Sequence, residues 1–185
     1  MTAPLRSKRP TKKPRGSAKA RRSAARLAAV QCLYQMALGE RPAAEVVSEF
    51  VEFRIGHEVD GDTFVPADVT LLTAIARGAD AEEEKIRALI DEAVRPPLER
   101  SRIELLLRAI LAAGTWELMR HLELPALIII SEYVGITSAF YGNTEPGLIN
   151  GLLDRIARRL RPYEFGATGA GPIPIGQTLP ETNEG

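Results

Sequence analysis

Four cationic side chains stand at the beginning of the first helical segment, in and just before the sequence ARRSAARLAAVQCLYQ at residues 20–35. They are Lys19, Arg21, Arg22 and Arg26, and the i, i+4 spacing of Arg22 and Arg26 places those two on one helix face. Guanidinium groups bind phosphates at two points and stack on bases, so this cluster suits single-stranded RNA. Cations at a helix N-terminus oppose the macrodipole, which favours a ligand-binding role. A solubilising or nonspecific polyanion-binding arm is the alternative.

The charge distribution supports a polyanion partner for this end of the chain. The formal net charge is zero, but residues 1–39 contain ten Lys and Arg and no acid. The remaining residues carry 14 basic and 24 acidic side chains, a net charge of −10. Such segregation predicts that the basic end binds nucleic acid or a similar polyanion.

Other reactive side chains lack the spacing that catalysis or metal binding requires. Cys32 lies in an apolar run, which indicates a buried thiol, and one cysteine with two separated histidines argues against a structural zinc site. His57 stands near Glu58, Asp60 and Asp62, where we favour a solvated loop over a metal site. The sequence contains no phosphate-binding glycine loop and no serine placed beside a histidine. We expect no catalytic residue, metal or cofactor.

The second basic group, RIARRLRP, contains Arg155, Arg158, Arg159 and Arg161. Three of these arginines lie near the C-terminus of the last helical segment, where the helix dipole favours cations. We therefore favour helix stabilisation over RNA contact for this group.

Apolar residues recur with helical periodicity between the two ends of the chain, and no internal repeat is visible. The pattern predicts an all-α domain, a compact bundle of about seven helices over residues 19–162. Residues 1–18 are predicted to be a disordered basic arm and 163–185 a flexible tail, although Tyr163 and Phe165 could pack back. The Ile-rich segment 126–140 is expected to be helical because no partner strand is evident.

Helix boundaries are marked by capping signals. Asp80 with Glu83 and Ser101 with Glu104 resemble capping boxes, and Thr144 precedes a proline in the first turn of the last helix. No apolar run is long enough to span a bilayer and no secretory signal is recognisable, so we expect a cytoplasmic protein without a membrane partner.

Four stretches in the same order resemble the NusB family of bacterial transcription antitermination factors, covering about residues 20–162. AARLAAVQCLYQ is similar to the arginine-alanine start and "VQALYQ" of the family, and LLRAILAAGTWEL to its "RAILRIAxYEL". LELPALIIISEYVGITSAF is similar to "DVPYKVAINEAVELAKxF", and LINGLLDRIAR to "FVNGVLDKIAR".

The resemblance implies an all-helical fold of two packed three-helix subdomains without catalytic activity. It further implies pairing with NusE, a small-subunit ribosomal protein, and binding of the pair to the boxA element of nascent RNA. The complex would join RNA polymerase and other Nus factors to support ribosomal RNA transcription.

By the same resemblance, Arg22 and Arg26 occupy RNA-contacting positions, with Arg21 adjacent, and Tyr34 matches a tyrosine at the NusE contact. Packing in the core is the alternative for Tyr34. Replacing Arg22 and Arg26 by alanine is accordingly expected to reduce RNA affinity and to leave thermal stability nearly unchanged. The sequence departs from the family at contact positions, which are Ser23, Ala24, Leu107, Ala112, Ser131, Thr144, Gly147 and Leu148.

Two further interpretations remain open at this point. The chain resembles the accessory RNA-binding domains that precede the catalytic domain of some ribosomal RNA cytosine methyltransferases. A helical scaffold that binds only proteins is the third possibility.

Overall fold

The computed structural model describes residues 16–53, 65–96 and 103–166. The predicted basic arm and C-terminal tail fall almost wholly outside these ranges, as does the acidic loop around His57. Within them the chain forms seven α-helices and one 3-10 turn, which confirms the all-α prediction. The helices are α1 (Ala18–Gly39), α2 (Ala43–Phe53), α3 (Val69–Ala81), α4 (Glu83–Ala93), α5 (Leu105–Arg120), α6 (Ala126–Phe140) and α7 (Glu145–Leu160), followed by the 3-10 turn Pro162–Phe165.

The helices pack in two groups that meet along α1 and α5. Helices α1, α2 and α3 contact one another, while α5, α6 and α7 form the second group with α4 lying against α5 and α7. Helix α5 is buried along most of its length, from Leu107 to Met119. A side chain on Gly114 of α5 would press against Leu153 of α7 and Tyr133 of α6, because a Cβ there would lie 3.0 Å from Leu153 Cδ1. The helix therefore serves as the central element, as its all-round apolar sequence predicts.

Two capping predictions are wrong in detail. Asp80 lies inside α3, and the N-cap of α4 is Glu82, whose carboxylate accepts a 2.8 Å hydrogen bond from Arg120 Nε instead of capping its own helix. Helix α5 begins at Leu105 with Glu104 as its N-cap, and the Glu104 carboxylate accepts from the Tyr141 hydroxyl at 3.0 Å. Ser101 lies outside the described residues. In both places a tertiary partner competes successfully with the local cap.

The start of α1 is fixed by local and tertiary hydrogen bonds. Ser17 caps the helix by accepting from the Ala20 backbone N–H at 3.1 Å. The Asp68 backbone N–H donates to the Arg21 carbonyl at 3.1 Å, which holds the beginning of α3 against the beginning of α1. The basic end of α1 is therefore anchored to the bundle.

Candidate nucleic-acid interface

The basic start of α1 offers three cations that no carboxylate neutralises. Lys19 and Arg22 are exposed and Arg21 is half-buried. Among the described residues these three form no ion pair; Arg21 Nη1 makes one long contact, 3.5 Å, with the Gly16 carbonyl. Their positive charge remains available to an anionic partner.

A groove of about 300 Å³ opens beside Arg22. The groove is lined by Arg22 and Arg26 of α1, by Asp68, Thr70, Leu71 and Ala74 at the beginning of α3, and by the connection between α5 and α6. That connection contributes His121, Glu123 and Leu124. The groove combines cationic, apolar and hydrogen-bonding side chains with the two carboxylates of Asp68 and Glu123. Its cationic and apolar groups suit an unstacked nucleotide.

Arg26 borders the same groove as Arg22, but it differs from the other three cations because it is buried and paired. Its side chain is only 4% exposed. Its guanidinium forms a two-point ion pair with Glu117 of α5, with Nε–Oε2 at 2.7 Å and Nη2–Oε1 at 2.9 Å. Its third nitrogen, Nη1, lies 3.2 Å from Glu132 Oε2 on α6. Arg26 therefore joins three helices, and we leave it out of the exposed RNA-binding surface that its sequence position suggests.

Further polar groups complete this buried network. The Tyr133 hydroxyl donates to Glu117 Oε2 at 2.8 Å, and His121 Nδ1 lies 3.1 Å from Glu117 Oε1. The Ser23 hydroxyl donates to Glu132 at 2.6 Å. Glu117 and Glu132 are each the one acidic residue of a mostly apolar helix, and this isolation is the sequence signal for the network.

The network shifts the pKa values of its members. Burial alone raises the pKa of the Glu117 carboxyl, but hydrogen bonds from His121, Arg26 and Tyr133 and the attraction of Arg26 outweigh it and lower that pKa to about 2. Burial, together with the nearby Glu117 charge, raises the pKa of Tyr133 well above its ordinary value. Glu117 is therefore ionised and Tyr133 neutral at physiological pH.

The arginines of the second basic group all make contacts within the protein, although Arg155, Arg158 and Arg159 are exposed. Arg158 pairs with Asp154 and Arg159 with Glu92, while Arg155 donates to the Ala93 carbonyl at 3.0 Å. Arg161 differs from the prediction, because its fully buried guanidinium serves the end of α5 and not its own helix. Sequence alone places it near the α7 terminus and gives no sign of this second helix.

Tyr34 lies half-buried on α1 and packs against the core. It approaches Tyr141 at the end of α6 closely enough to help raise the pKa of Tyr141, which burial and the hydrogen bond to Glu104 bring to about 12. Leu38, one turn further along α1, is 66% exposed, and Phe140 is 46% exposed. Tyr34 thus takes part in core packing and also borders a partly apolar surface.

The positions that depart from the family are distributed between core and surface. Leu107 is 4% exposed, so this departure places an apolar side chain in the core. Thr144 is the N-cap of α7 as predicted, although its hydroxyl makes no capping bond, and Pro146 lies in the first turn. Thr144 and Gly147 are exposed and Leu148 is half-buried.

Within the described ranges, no cluster of His, Cys, Asp and Glu is arranged to hold a metal ion, and no helix is long and apolar enough to cross a membrane. The described residues thus form an all-helical protein with two notable surface features. One is the basic start of α1, which has no ion pair within that part of the chain, and the other is the partly apolar surface beside Tyr34. Residues 23–158 match the sequence model of the NusB family. The chain belongs to the NusB family.

Curated relatives agree with this assignment. The transcription antitermination protein NusB of Rhodopseudomonas palustris strain TIE-1 is 43% identical over 153 residues, which cover 82% of this chain and 88% of the relative. The protein of the same name from Sinorhizobium fredii strain NGR234 is 44% identical over 140 residues, or 76% of this chain and 88% of the relative.

Two solved structures share the fold. One is NusB of T. maritima, with a TM-score of 0.63 and 20% identity, covering 77% of this chain and 95% of that structure. The other is described as antitermination factors NusB and NusE in complex with dsRNA, with a TM-score of 0.62 and 20% identity over 77% of this chain and 99% of that one.

Proposed function

We propose that this protein is a transcription antitermination factor that acts by binding and catalyses no reaction. It pairs with a NusE-type ribosomal protein, and the pair binds boxA RNA within an elongation complex of RNA polymerase and other Nus factors in the cytoplasm. The proposal is supported by relatives of this name at 43–44% identity and by the NusE and RNA partners of a structure with the same fold.

The observation that carries the RNA-binding part is the unpaired cationic cluster at the start of α1. Lys19, Arg21 and Arg22 have no carboxylate partner among the described residues, whereas the arginines of α7 are paired or donate to backbone carbonyls. A cation that is free in the folded protein gains most from neutralising a phosphate, because it loses no ion pair on binding.

A titration of single-stranded boxA RNA tests the proposal, performed with and without NusE at several salt concentrations. If the three cations each neutralise one phosphate, log K falls with log[salt] with a slope of about −2. Replacing Lys19, Arg21 and Arg22 together by glutamine should abolish most of that slope and reduce affinity at low salt.

A matched control removes the same number of charges elsewhere. Arg41, Arg120 and Arg159 are all paired with carboxylates, and their triple glutamine variant should bind RNA with nearly unchanged affinity and slope. Equal losses of RNA affinity in the two triple variants would show that binding depends on overall positive charge and not on this particular surface. A wild-type chain that binds NusE but no RNA would instead support the protein-only scaffold.

A further inference from the structure

Arg161 places a guanidinium with no solvent exposure beneath the end of α5. Its nitrogens donate to four backbone carbonyls at 2.6–3.2 Å, two of which belong to Leu118 and Glu117 of α5 and two to His121 and Leu124. The last carbonyls of a helix have no partner within that helix and carry its negative dipole end. Arg161 therefore caps α5 from a different helix.

Glu164 performs the complementary task at the beginning of α6. The N-cap position of α6 is Pro125, which has no side-chain acceptor to offer. Glu164 Oε2 accepts instead from the Ala126 backbone N–H at 2.7 Å, and Glu164 Oε1 lies 3.1 Å from Arg161 Nη1. One ion pair after α7 thus caps the C-terminus of α5 with a cation and the N-terminus of α6 with an anion.

The segment held between these two caps, residues 121–125, is the connection that walls the groove beside Arg22. His121 and Leu124, whose carbonyls both accept hydrogen bonds from Arg161, line the groove. His121 also contacts Glu117, the carboxylate that binds Arg26 of α1. The position of this wall relative to the basic helix end therefore depends on the Arg161–Glu164 pair.

We propose that Arg161 and Glu164 are positioning residues for RNA binding, which hold residues 121–125 as the second wall of a groove that receives RNA beside Arg22. This inference rests on the proposed function. Neither residue contacts RNA itself; Arg161 is buried, and Glu164 carries the wrong charge for a phosphate. They affect RNA affinity by holding residues 121–125 in position.

A purely electrostatic role and a positioning role for Glu164 predict opposite changes in RNA affinity when the carboxylate is removed. Removing a carboxylate raises the affinity for RNA if long-range charge is all that matters, and it does so equally for alanine and glutamine. If positioning matters, Glu164→Gln keeps an oxygen that can accept from Ala126 but loses the ion pair with Arg161, so it should weaken RNA binding less than Glu164→Ala does. Glu164→Ala leaves the Ala126 N–H without that acceptor and should weaken RNA binding about fivefold to tenfold.

The experiment compares the full-length wild type, Glu164→Ala and Glu164→Gln in titrations with single-stranded boxA RNA at one salt concentration. Amide hydrogen exchange of Leu124 and Ala126 is measured in parallel, and thermal unfolding shows that each variant is folded. The expected result is weaker RNA binding and faster Ala126 exchange than in wild type, with both effects larger in Glu164→Ala than in Glu164→Gln.

Equal or tighter binding by both variants, with the wild type binding RNA, overturns the positioning role and leaves the proposed function intact. Unchanged Ala126 exchange in Glu164→Ala overturns it as well. A wild-type chain that binds no RNA overturns both proposals.

Discussion

Arg26 of α1 and Glu117 of α5 form a two-point ion pair inside the bundle, with the arginine 4% exposed and the glutamate fully buried. Both groups have further partners, Glu132 for the arginine and Tyr133 and His121 for the glutamate. Satisfying the remaining hydrogen-bonding capacity in this way is what makes a buried charge pair tolerable. Arg26 therefore lies where α1 passes from its exposed basic start to the part that packs in the core.

Replacing Arg26 by alanine should destabilise the protein by about 3–5 kcal/mol, because the change leaves Glu117 charged and buried without its counter-ion. This corrects the sequence-based expectation that an Arg22 and Arg26 double variant retains its stability. Urea unfolding of the two single variants separates the roles.

Arg22→Ala is the matched control for Arg26→Ala, since Arg22 lies one turn earlier on the same helix and is exposed. Its free energy of unfolding should stay within about 0.5 kcal/mol of wild type, while its affinity for RNA falls. A loss of less than about 1 kcal/mol for Arg26→Ala, typical of exposed ion pairs, would contradict the structural role.

Acid should weaken the fold through Glu117. The pKa of this carboxyl is lowered in the folded state to about 2 from an ordinary value of 4.5, so the folded state binds its proton less readily than the unfolded state. The resulting stability, on the order of 3 kcal/mol, is complete above the unfolded pKa and is lost as the pH falls from about 4.5 toward 2.

Urea unfolding at a series of pH values checks this expectation. In Glu117→Gln the group no longer titrates, so the slope of unfolding free energy against pH should be shallower in this window than in wild type. Parallel slopes for the two proteins would show that other carboxylates cause the acid sensitivity.

Gly78 on α3 permits the close approach of Trp116 on α5. A Cβ at this position would lie 2.3 Å from indole atoms of Trp116, which is itself 8% exposed. Gly78→Ala should therefore cost about 1–3 kcal/mol through overpacking, measurable by urea unfolding and by a change in tryptophan fluorescence.

Gly135 provides the contrasting helical glycine. A Cβ there meets nothing within 4 Å, so Gly135→Ala should gain about 0.5–1 kcal/mol from the reduced entropy cost of ordering the chain. If both substitutions stabilised the protein, the contact between Gly78 and Trp116 would be looser than the structure describes.

The helices could be predicted from sequence because each one shows its apolar periodicity within a single segment. The helix over residues 126–140 is predicted on a different ground, because no partner strand is evident for this isoleucine-rich segment. The ion-pair partner of a charged side chain is set by the tertiary structure, so it is hard to recognise from the neighbouring sequence. The i, i+4 spacing of Arg22 and Arg26 describes one helix face correctly, but Glu117, which is 91 residues from Arg26, covers only the second of them.

Arg161 illustrates the same limit from the other end of the chain. A cation at a helix C-terminus is consistent with capping of that helix, and the sequence offers no reason to choose a different one. Its partners in the α5–α6 region lie 37–44 residues away. Lys19 and Arg22, by contrast, are exposed and have no ion-pair partner among the described residues. Composition and position in the sequence are therefore enough to single them out as candidate cations.

NusE binding provides a test of the face around Tyr34. Leu38 is 66% exposed, so Leu38→Glu should leave the free energy of unfolding within about 0.5 kcal/mol of wild type and should weaken NusE binding about tenfold or more by placing a charge in an apolar contact. Tyr34→Ala should weaken binding too and also reduce stability, because Tyr34 packs against the core. Leu127→Glu is the control: Leu127 is 65% exposed but lies at the opposite end of α6 from Phe140, about 20 Å along the helix. Calorimetric titration with NusE would contradict the assignment of this face if Leu127→Glu weakened binding as much as Leu38→Glu does.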